Sequence, residues 1–188
     1  MLDSGAFSAW FRGEEINLKD YIKYIKDHRE LVDTYVALDV IPGDKGRMDR
    51  SQAGIEKSAA VSYKNLQTMK DAGLSPIPVF HQGERFHWLE KMVEEGETYI
   101  GISPYLRSSQ NEIIMWMDRC FTMLTDRAGA PTVRTHGFGA TGINIIRRYP
   151  WCTVDSTTWS LGAGYGLIRV PFVRGDGFDF SRAGPLIY

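Results

Sequence analysis

The sequence predicts an α/β protein folded as a parallel (β/α)8 barrel of the TIM type, incomplete at its N-terminus. Three observations point there. Helical and extended segments alternate with little between them. Each extended segment ends in a polar residue or a glycine-bearing turn. The chain opens on Met1-Leu2, a stub of strand that leads at once into Asp3-Ser4-Gly5-Ala6-Phe7.

Alternation of strand and helix implies right-handed βαβ crossovers and a parallel sheet. The polar strand ends are Asp3-Ser4-Gly5, Asp39, His81-Gln82-Gly83, Gly101-Ile102-Ser103, His136-Gly137 and Asp155-Ser156. In a parallel barrel such ends converge on one face, where active sites sit. An open doubly wound sheet would gather them at one switch point instead. Their recurrence on every strand favours the barrel. A strand that feeds a turn normally has about five or six residues, so the stub before Asp3 reads as the remainder of a longer strand. Residues 1–188 are therefore expected to form one barrel domain truncated at its N-terminus.

In chain order, Ile16 to His28 carries Ile16, Tyr21, Ile22, Tyr24 and Ile25 near helical spacing, with Asn17 as the cap. Tyr35 to Leu38 is a short apolar strand ending at Asp39. Pro42-Gly43-Asp44 breaks the chain, and a long helix runs from about Ala53 to Ala72, stopped by Gly73. Pro76 to Phe80 is a strand with its prolines near the start, where a missing N–H does least harm. Phe86 to Glu95 is helical, Thr98 to Ile100 extended up to Gly101, and Asn111 to Arg127 a strongly apolar helix. Trp116 and Phe121 sit at helical spacing within it and read as core. Thr132 to Thr135 is extended, Ile143 to Arg148 helical, and Cys152 to Val154 extended up to Asp155. Gly162 to Gly166 reads as a flexible loop, and Leu167 to Val173 as one further strand.

The 188 residues suit one domain with a sizeable core. Hydrophobic residues at 43% and charged residues at 24% are the balance of a soluble globular protein. A net charge of −1 neither favours nor excludes nucleic acid, because a local patch can bind phosphate on a neutral protein. Cys120 and Cys152 are too few for a disulfide scaffold or a cysteine-rich zinc site and read as reduced thiols. No apolar run approaches the roughly 20 residues of a membrane span, and no signal pattern opens the chain. The expectation is a cytoplasmic protein without membrane contact.

Two carboxylates on one barrel mouth can divide labour if their environments separate their pKa values. Asp3 and Asp155 are the catalytic candidates. Asp3 precedes a turn whose Gly5 lets backbone N–H groups approach a ligand, and Asp155 follows an apolar strand that holds it rigidly. For Asp39 the commoner fate of an Asp after a strand, a turn or cap residue, weighs more. His81 and His136 are pocket candidates, each beside a glycine or glycine turn, with no His-x-His or His-Glu-x-x-His pattern for a metal. Gly137-Phe138-Gly139, running into a helix near Gly142, could offer N–H groups to a phosphate, and a tight turn explains it equally well.

Taken in order, these strand ends resemble the tRNA-guanine transglycosylase superfamily, including the phage and bacterial relatives that place 7-deazaguanines in DNA. Asp3-Ser4-Gly5-Ala6-Phe7 resembles that family's Asp-Ser-Gly-Gly-(Phe/Tyr). Val36-Ala37-Leu38-Asp39 resembles its strand ending in a base-reading Asp. Phe80-His81-Gln82-Gly83 is similar to its Val-Gln-Gly segment, Tyr99-Ile100-Gly101 to Ile-Gly-Gly, and Gly137-Phe138-Gly139 to Gly-Val-Gly. Val154-Asp155 matches the Phe-Asp that opens its Asp-Cys-Val-x-Pro-Thr-Arg. The matches span residues 2–158 in the same order.

The resemblance implies a pentosyltransferase that replaces guanine in DNA or tRNA with a 7-deazaguanine base. Asp155 would be the nucleophile and Asp3 the proton handler. The implied substrate-binding residues are Ser4, Phe7, Asp39, His81, Gln82, Gly101, His136 and Gly137. Ser156-Thr157-Thr158-Trp159 replaces the family's Cys-Val-x-Pro-Thr-Arg, and His136 stands where the tRNA enzymes usually have Met. Both departures favour the DNA-modifying branch. The family's zinc cluster, Cys-x-Cys-x-x-Cys with a later His, has no counterpart, so no cofactor is expected in this chain; a zinc site of that type would lie beyond its C-terminus. A homodimer or a partner subunit remains open.

Two other readings stand beside this one. The first is a barrel lyase or hydrolase acting on a small molecule with Asp3 or His81 as general base, favoured by the net charge of −1. The second is a catalytically silent binding subunit, which the joint presence of Asp3 and Asp155 opposes. Arg147, Arg148, Arg169 and Arg174 are the basic candidates for phosphate contact, with ordinary solvated surface as their competing explanation.

Overall fold

The chain enters at Leu2, whose backbone bridges Tyr35 in parallel in the computed structural model. Described there are residues 1–44, 46–105, 107–166, 168–169, 172–175, 177–179 and 186–187. Gly5, at φ 72°, takes the left-handed conformation that the turn into helix α1 (Ala6–Arg12) requires. Helix α2 (Leu18–Asp27) starts where Asn17 accepts the N–H groups of Lys19 and Asp20, as its polar side chain predicts. A tight hairpin follows, β1 (Gly43–Asp44) against β2 (Arg47–Met48), and Trp10 Nε1 ties it to α1 by donating to the Gly43 carbonyl at 2.7 Å.

Helix α3 (Gln52–Asp71), capped by Ser51, leads into β3 (Val79–His81). Helix α4 (His87–Glu94) and β4 (Tyr99–Ser103) come next. Helix α5 (Gln110–Leu124) carries a capping box between Ser109 and Glu112, and β5 (Arg134–Gly137) follows it. Helix α6 (Ile143–Arg148), β6 (Thr153–Val154) and α7 (Thr158–Gly164) complete the alternating part. Beyond it, β7 (Ile168–Arg169) pairs antiparallel with β10 (Leu186–Ile187), and β8 (Phe172–Arg174) with β9 (Gly177–Asp179).

The fold is mixed α/β around a four-stranded parallel sheet in the order β3-β4-β5-β6. Parallel bridges Leu2–Tyr35 and Val36–Ile77 carry the array back through two further segments. Every segment lies beside its neighbour in sequence, so this array contains no reversal of strand order and no switch point. The array is also strongly curved. The charge of Asp155, just after β6, reaches Asp3, just after Leu2. In a flat sheet the five spacings between those segments would set them roughly 24 Å apart, well beyond a Debye length of about 10 Å.

Helices cover one face. Tyr21 and Ile25 of α2 and Leu66 and Met69 of α3 pack on Tyr35, Ala37 and Leu38. Leu89 and Met92 of α4 and Cys120 and Leu124 of α5 pack on Phe80, Ile100 and Ile102. Phe121 is buried as its spacing predicts, and the partly buried Trp116 stacks on Phe80. Both cysteines are free, Cys120 buried and Cys152 exposed.

Two expectations need correction. Leu167–Val173 is not one strand: β7 and β8 belong to separate antiparallel ladders, and Leu167, Val170 and Pro171 lie outside the described residues. Gly162 to Gly164 close helix α7, and only Tyr165-Gly166 is turn. Helix α1 and the β1–β2 hairpin have no counterpart in the sequence reading, because seven residues of AFSAWFR lack a sustained helical stripe and the hairpin strands are two residues each. Among the described residues no helix is long and apolar enough to cross a membrane.

Gly137 sits where a Cβ would meet Ala140 Cβ at 2.8 Å and the Trp151 ring at 3.0 Å. Overpacking of this kind destabilises by about 1–3 kcal/mol, so Gly137→Ala should lower the urea midpoint by that equivalent. An unchanged midpoint would mean that the β5–α6 junction is looser than this packing implies.

Candidate active site

Strand alternation sorts the side chains. Ile100 and Ile102 face the helices, which leaves Gly101 and Ser103 on the opposite, inner face. In register with Gly101 stand Val79 on one side and His136 on the other, and His136 in turn is level with Thr153. The inner face thus carries polar groups where the outer carries core.

One hydrogen-bonded chain links the ends of three neighbouring segments. Ser4 Oγ donates to Asp39 Oδ1 at 3.1 Å, and Ser4 Oγ itself accepts the Ala6 N–H. His81 Nε2 lies 2.9 Å from Asp39 Oδ2. On its other side His81 Nδ1 is 3.1 Å from Glu84 Oε1, while the His81 backbone N–H donates to Glu84 Oε2 at 3.2 Å. Burial works against charge on His81, but its bonds to Asp39 and Glu84 and their charges outweigh burial and push its pKa up to about 10. Burial likewise opposes ionisation of Asp39, and the His81 bond and charge with the Ser4 bond still hold its carboxyl below the usual range. His81 is therefore an imidazolium clamped between two carboxylates. It has no lone pair with which to act as a base, and both ring protons are engaged. The order Ser–Asp–His also differs from a nucleophilic triad, in which the histidine would stand beside the serine.

The second half of the site lies across the inner face. Asp155 Oδ1 accepts the Gly139 N–H at 3.0 Å, and its Oδ2 lies 3.5 Å from His136 Nε2. His136 is 2% exposed, its Nδ1 is 2.6 Å from Thr153 Oγ1, and its buried Nε2 has no hydrogen-bond partner. Burial is the main influence on this ring and lowers its pKa, against the opposing pull of Asp155. A neutral imidazole whose second nitrogen faces a carboxylate half open to water can hydrogen-bond a ligand placed between the two. Asp3 closes the ring. Its residue is exposed at the rim, yet burial of the carboxyl, then the charge of Asp39 and behind it that of Asp155, raise its pKa against the N–H groups of Ser4 and Gly5. Water screens part of this effect.

The other candidates fall into place around these. Gln82 Oε1 accepts the Tyr105 N–H at 2.9 Å and so anchors the loop after β4. A Cβ on Gly101 would meet the Phe138 ring at 2.6 Å, so Gly101 makes room for Phe138, which packs edge-on to His136. Gly137 makes room for Trp151, and the Gly139 N–H is already bonded to Asp155, which takes it from any phosphate. Phe7 is 59% exposed on α1 beside Trp10. Of the basic candidates, Arg148 is held by Asp118 through two bonds of 2.8 and 2.7 Å; Arg147 ends α6, and Arg169 and Arg174 lie in β7 and β8.

Glu84 and Thr153 are absent from the sequence reading. Glu84 folds back onto His81 across Gly83, whose φ of 111° makes the turn; a His-x-Gly-Glu spacing is its only signal. Thr153 is one of several strand hydroxyls and carries none. Cysteines on α5 and just before β6 do not fit a Cys-x-Cys-x-x-Cys zinc cluster, and among the described residues no three His, Cys, Asp or Glu side chains are grouped to hold a metal. No protein-family model, curated protein or solved structure matches this chain.

The clamped histidine has a consequence for stability. A group with its folded pKa raised stabilises fully below its unfolded value of about 6.5 and loses that contribution as pH rises through its folded value. The melting temperature should therefore fall between pH 6.5 and about 10. His81→Gln should flatten that slope, and equal slopes in both proteins would show that His81 is not charged in the fold.

Proposed function

We propose that this chain is the body of a (β/α)8-type barrel enzyme that exchanges guanine in nucleic acid for a 7-deazaguanine base. The observation that carries the reading is the meeting of Asp3, Asp155 and the orphaned Nε2 of His136 at one end of a curved, sequentially ordered parallel array. Sequential order without a switch point is what a barrel requires, and strand ends on its mouth are where such chemistry sits.

Asp155 attacks the sugar C1′ as the bond from C1′ to guanine N9 breaks, giving a covalent glycosyl ester. Asp3, whose raised pKa suits it to carry a proton, supplies that proton to the departing base. The incoming base returns its N9 proton to Asp3, its N9 attacks C1′, and the ester bond to Asp155 breaks. Two displacements retain the configuration at C1′, the logic of retaining glycosidases. Neutral His136 offers Nε2 to the base or sugar between the two carboxylates. Asp39 accepts from the base edge, and Phe7 stacks on its face. The target nucleotide must leave its stack to reach them.

We favour DNA as the polymer, since the stretch after Asp155 lacks the Arg of the tRNA enzymes. Phosphate contacts fall to loops around the mouth. Arg47, Arg50 and Arg107 are exposed there with no carboxylate within 4.0 Å among the described residues, and Arg50 stacks on Tyr105 at 4.2 Å.

Asp155→Asn should lower guanine exchange at least about 10³-fold with the melting temperature kept; retained exchange would contradict the assignment. Binding of a labelled DNA oligonucleotide should weaken as salt rises, and Arg50→Ala should reduce the log–log salt slope by about one. Salt-independent binding would favour the small-molecule lyase or hydrolase instead.

A further inference from the structure

Asp39 is a carboxylate with side-chain exposure of 12%; Ser4 Oγ bonds its Oδ1, His81 Nε2 lies on its Oδ2, and its own backbone N–H adds a further bond. An ionised carboxylate has about four acceptor positions, more than these groups fill, which leaves it able to accept from a ligand. Glu84, 8% exposed at its side chain, takes the far ring nitrogen of His81 and the His81 backbone N–H together. This two-point grip fixes both the position of the imidazole and its rotation. Nothing in the chemistry proposed above uses Glu84, and burying a second carboxylate against the same histidine as Asp39 is unfavourable unless its charge is paired.

We infer that Glu84 is a positioning residue for base recognition: acting through His81, it holds Asp39 as an acceptor-only carboxylate that selects a ligand edge with two adjacent N–H donors. The inference rests on the base-exchange reading for the identity of that ligand, since guanine and 7-deazaguanines present such a pair at N1 and the 2-amino group. The groups facing His81 are Asp39 and Glu84; those facing Asp39 include Ser4, the Asp3 carboxylate and the Tyr21 phenol, whose ionisation Asp3 and Asp39 both oppose. Behind Asp39 and Glu84 a cavity of about 20 Å³, also lined by Ser62, has room for a single water on their outer side.

Without the Glu84 charge, the His81 proton loses its second acceptor. The imidazole is then free to turn or to give up a proton, and Asp39 gains one. A protonated Asp39 presents an O–H to the base where an acceptor is needed. Selectivity for the two-donor edge should collapse while the sugar-side chemistry at Asp155 is still in place. The expected kinetic signature of Glu84→Gln is a raised KM for the incoming base with a smaller change in kcat.

The test has two arms. In the first, the ring nitrogens of His81 are followed by NMR against pH in the wild type and in Glu84→Gln. His81 should stay doubly protonated through pH 8 in the wild type and titrate lower in the variant. A neutral His81 at pH 8 in the wild type overturns the inference without need of any variant, as does an unshifted titration in a folded Glu84→Gln. In the second arm, free guanine and hypoxanthine, which lacks the 2-amino donor, are compared by calorimetry. The wild type should prefer guanine by about tenfold or more, and Glu84→Gln should lose most of that preference. An unchanged ratio overturns the recognition role. If the wild type binds neither base, the base-exchange reading fails and the recognition role falls with it, while the titration still decides whether Glu84 sets the charge of His81.

Discussion

A carboxylate that stays ionised out of water needs a cation against it, and the arrangement around Asp39 follows from that need. His81 supplies the charge, Glu84 stabilises His81, and Ser4 donates to the other carboxylate oxygen. These groups come from the ends of three neighbouring segments: the one at Leu2, the Tyr35–Leu38 segment and β3. The chain of bonds therefore does more than tune a pKa. It ties together the mouth of the array where backbone pairing is thinnest, since the first two junctions are single parallel bridges and not extended ladders. Removing one member leaves an unpaired buried charge, which is costlier than never having built the pair.

The same burial gives the other carboxylates at this mouth different surroundings. Asp3 lies close enough to Asp39 and Asp155 to feel both charges, and those charges push it towards the protonated form. Asp155 sits farther out, half open to water, with a backbone N–H on one oxygen. Two carboxylates in different surroundings can serve as proton carrier and nucleophile. His136 remains neutral because burial dominates its environment, whereas His81 remains charged because its partners do. Two histidines at equivalent strand ends thus take opposite protonation states.

Much of the α/β order is legible in the sequence. Amphipathic spacing marks α2 through α5, and Asn17 caps α2 as its side chain predicts. The polar strand ends identify the inner face, and Asp3, Asp39, His81, His136 and Asp155 are all found near one another. What spacing cannot convey is which polar atoms pair. His81 looks like a base in sequence and is a clamped cation in space, because Glu84 reaches it only through the turn at Gly83. Gly101 and Gly137, substrate-binding positions by resemblance, also make room for the Phe138 and Trp151 rings, which no spacing in the sequence foretells. The antiparallel ladders after residue 167 escape the reading because their strands are two or three residues long, too short for alternation to register.

The central claim is that Asp155 becomes covalently joined to a sugar. Intact-mass spectrometry of the protein incubated with a guanine-containing DNA oligonucleotide and quenched in acid tests it most directly. A species heavier by the oligonucleotide less guanine, with the adduct mapped to the peptide containing Asp155, is the predicted result. Base exchange that proceeds with the adduct on another residue would contradict the account.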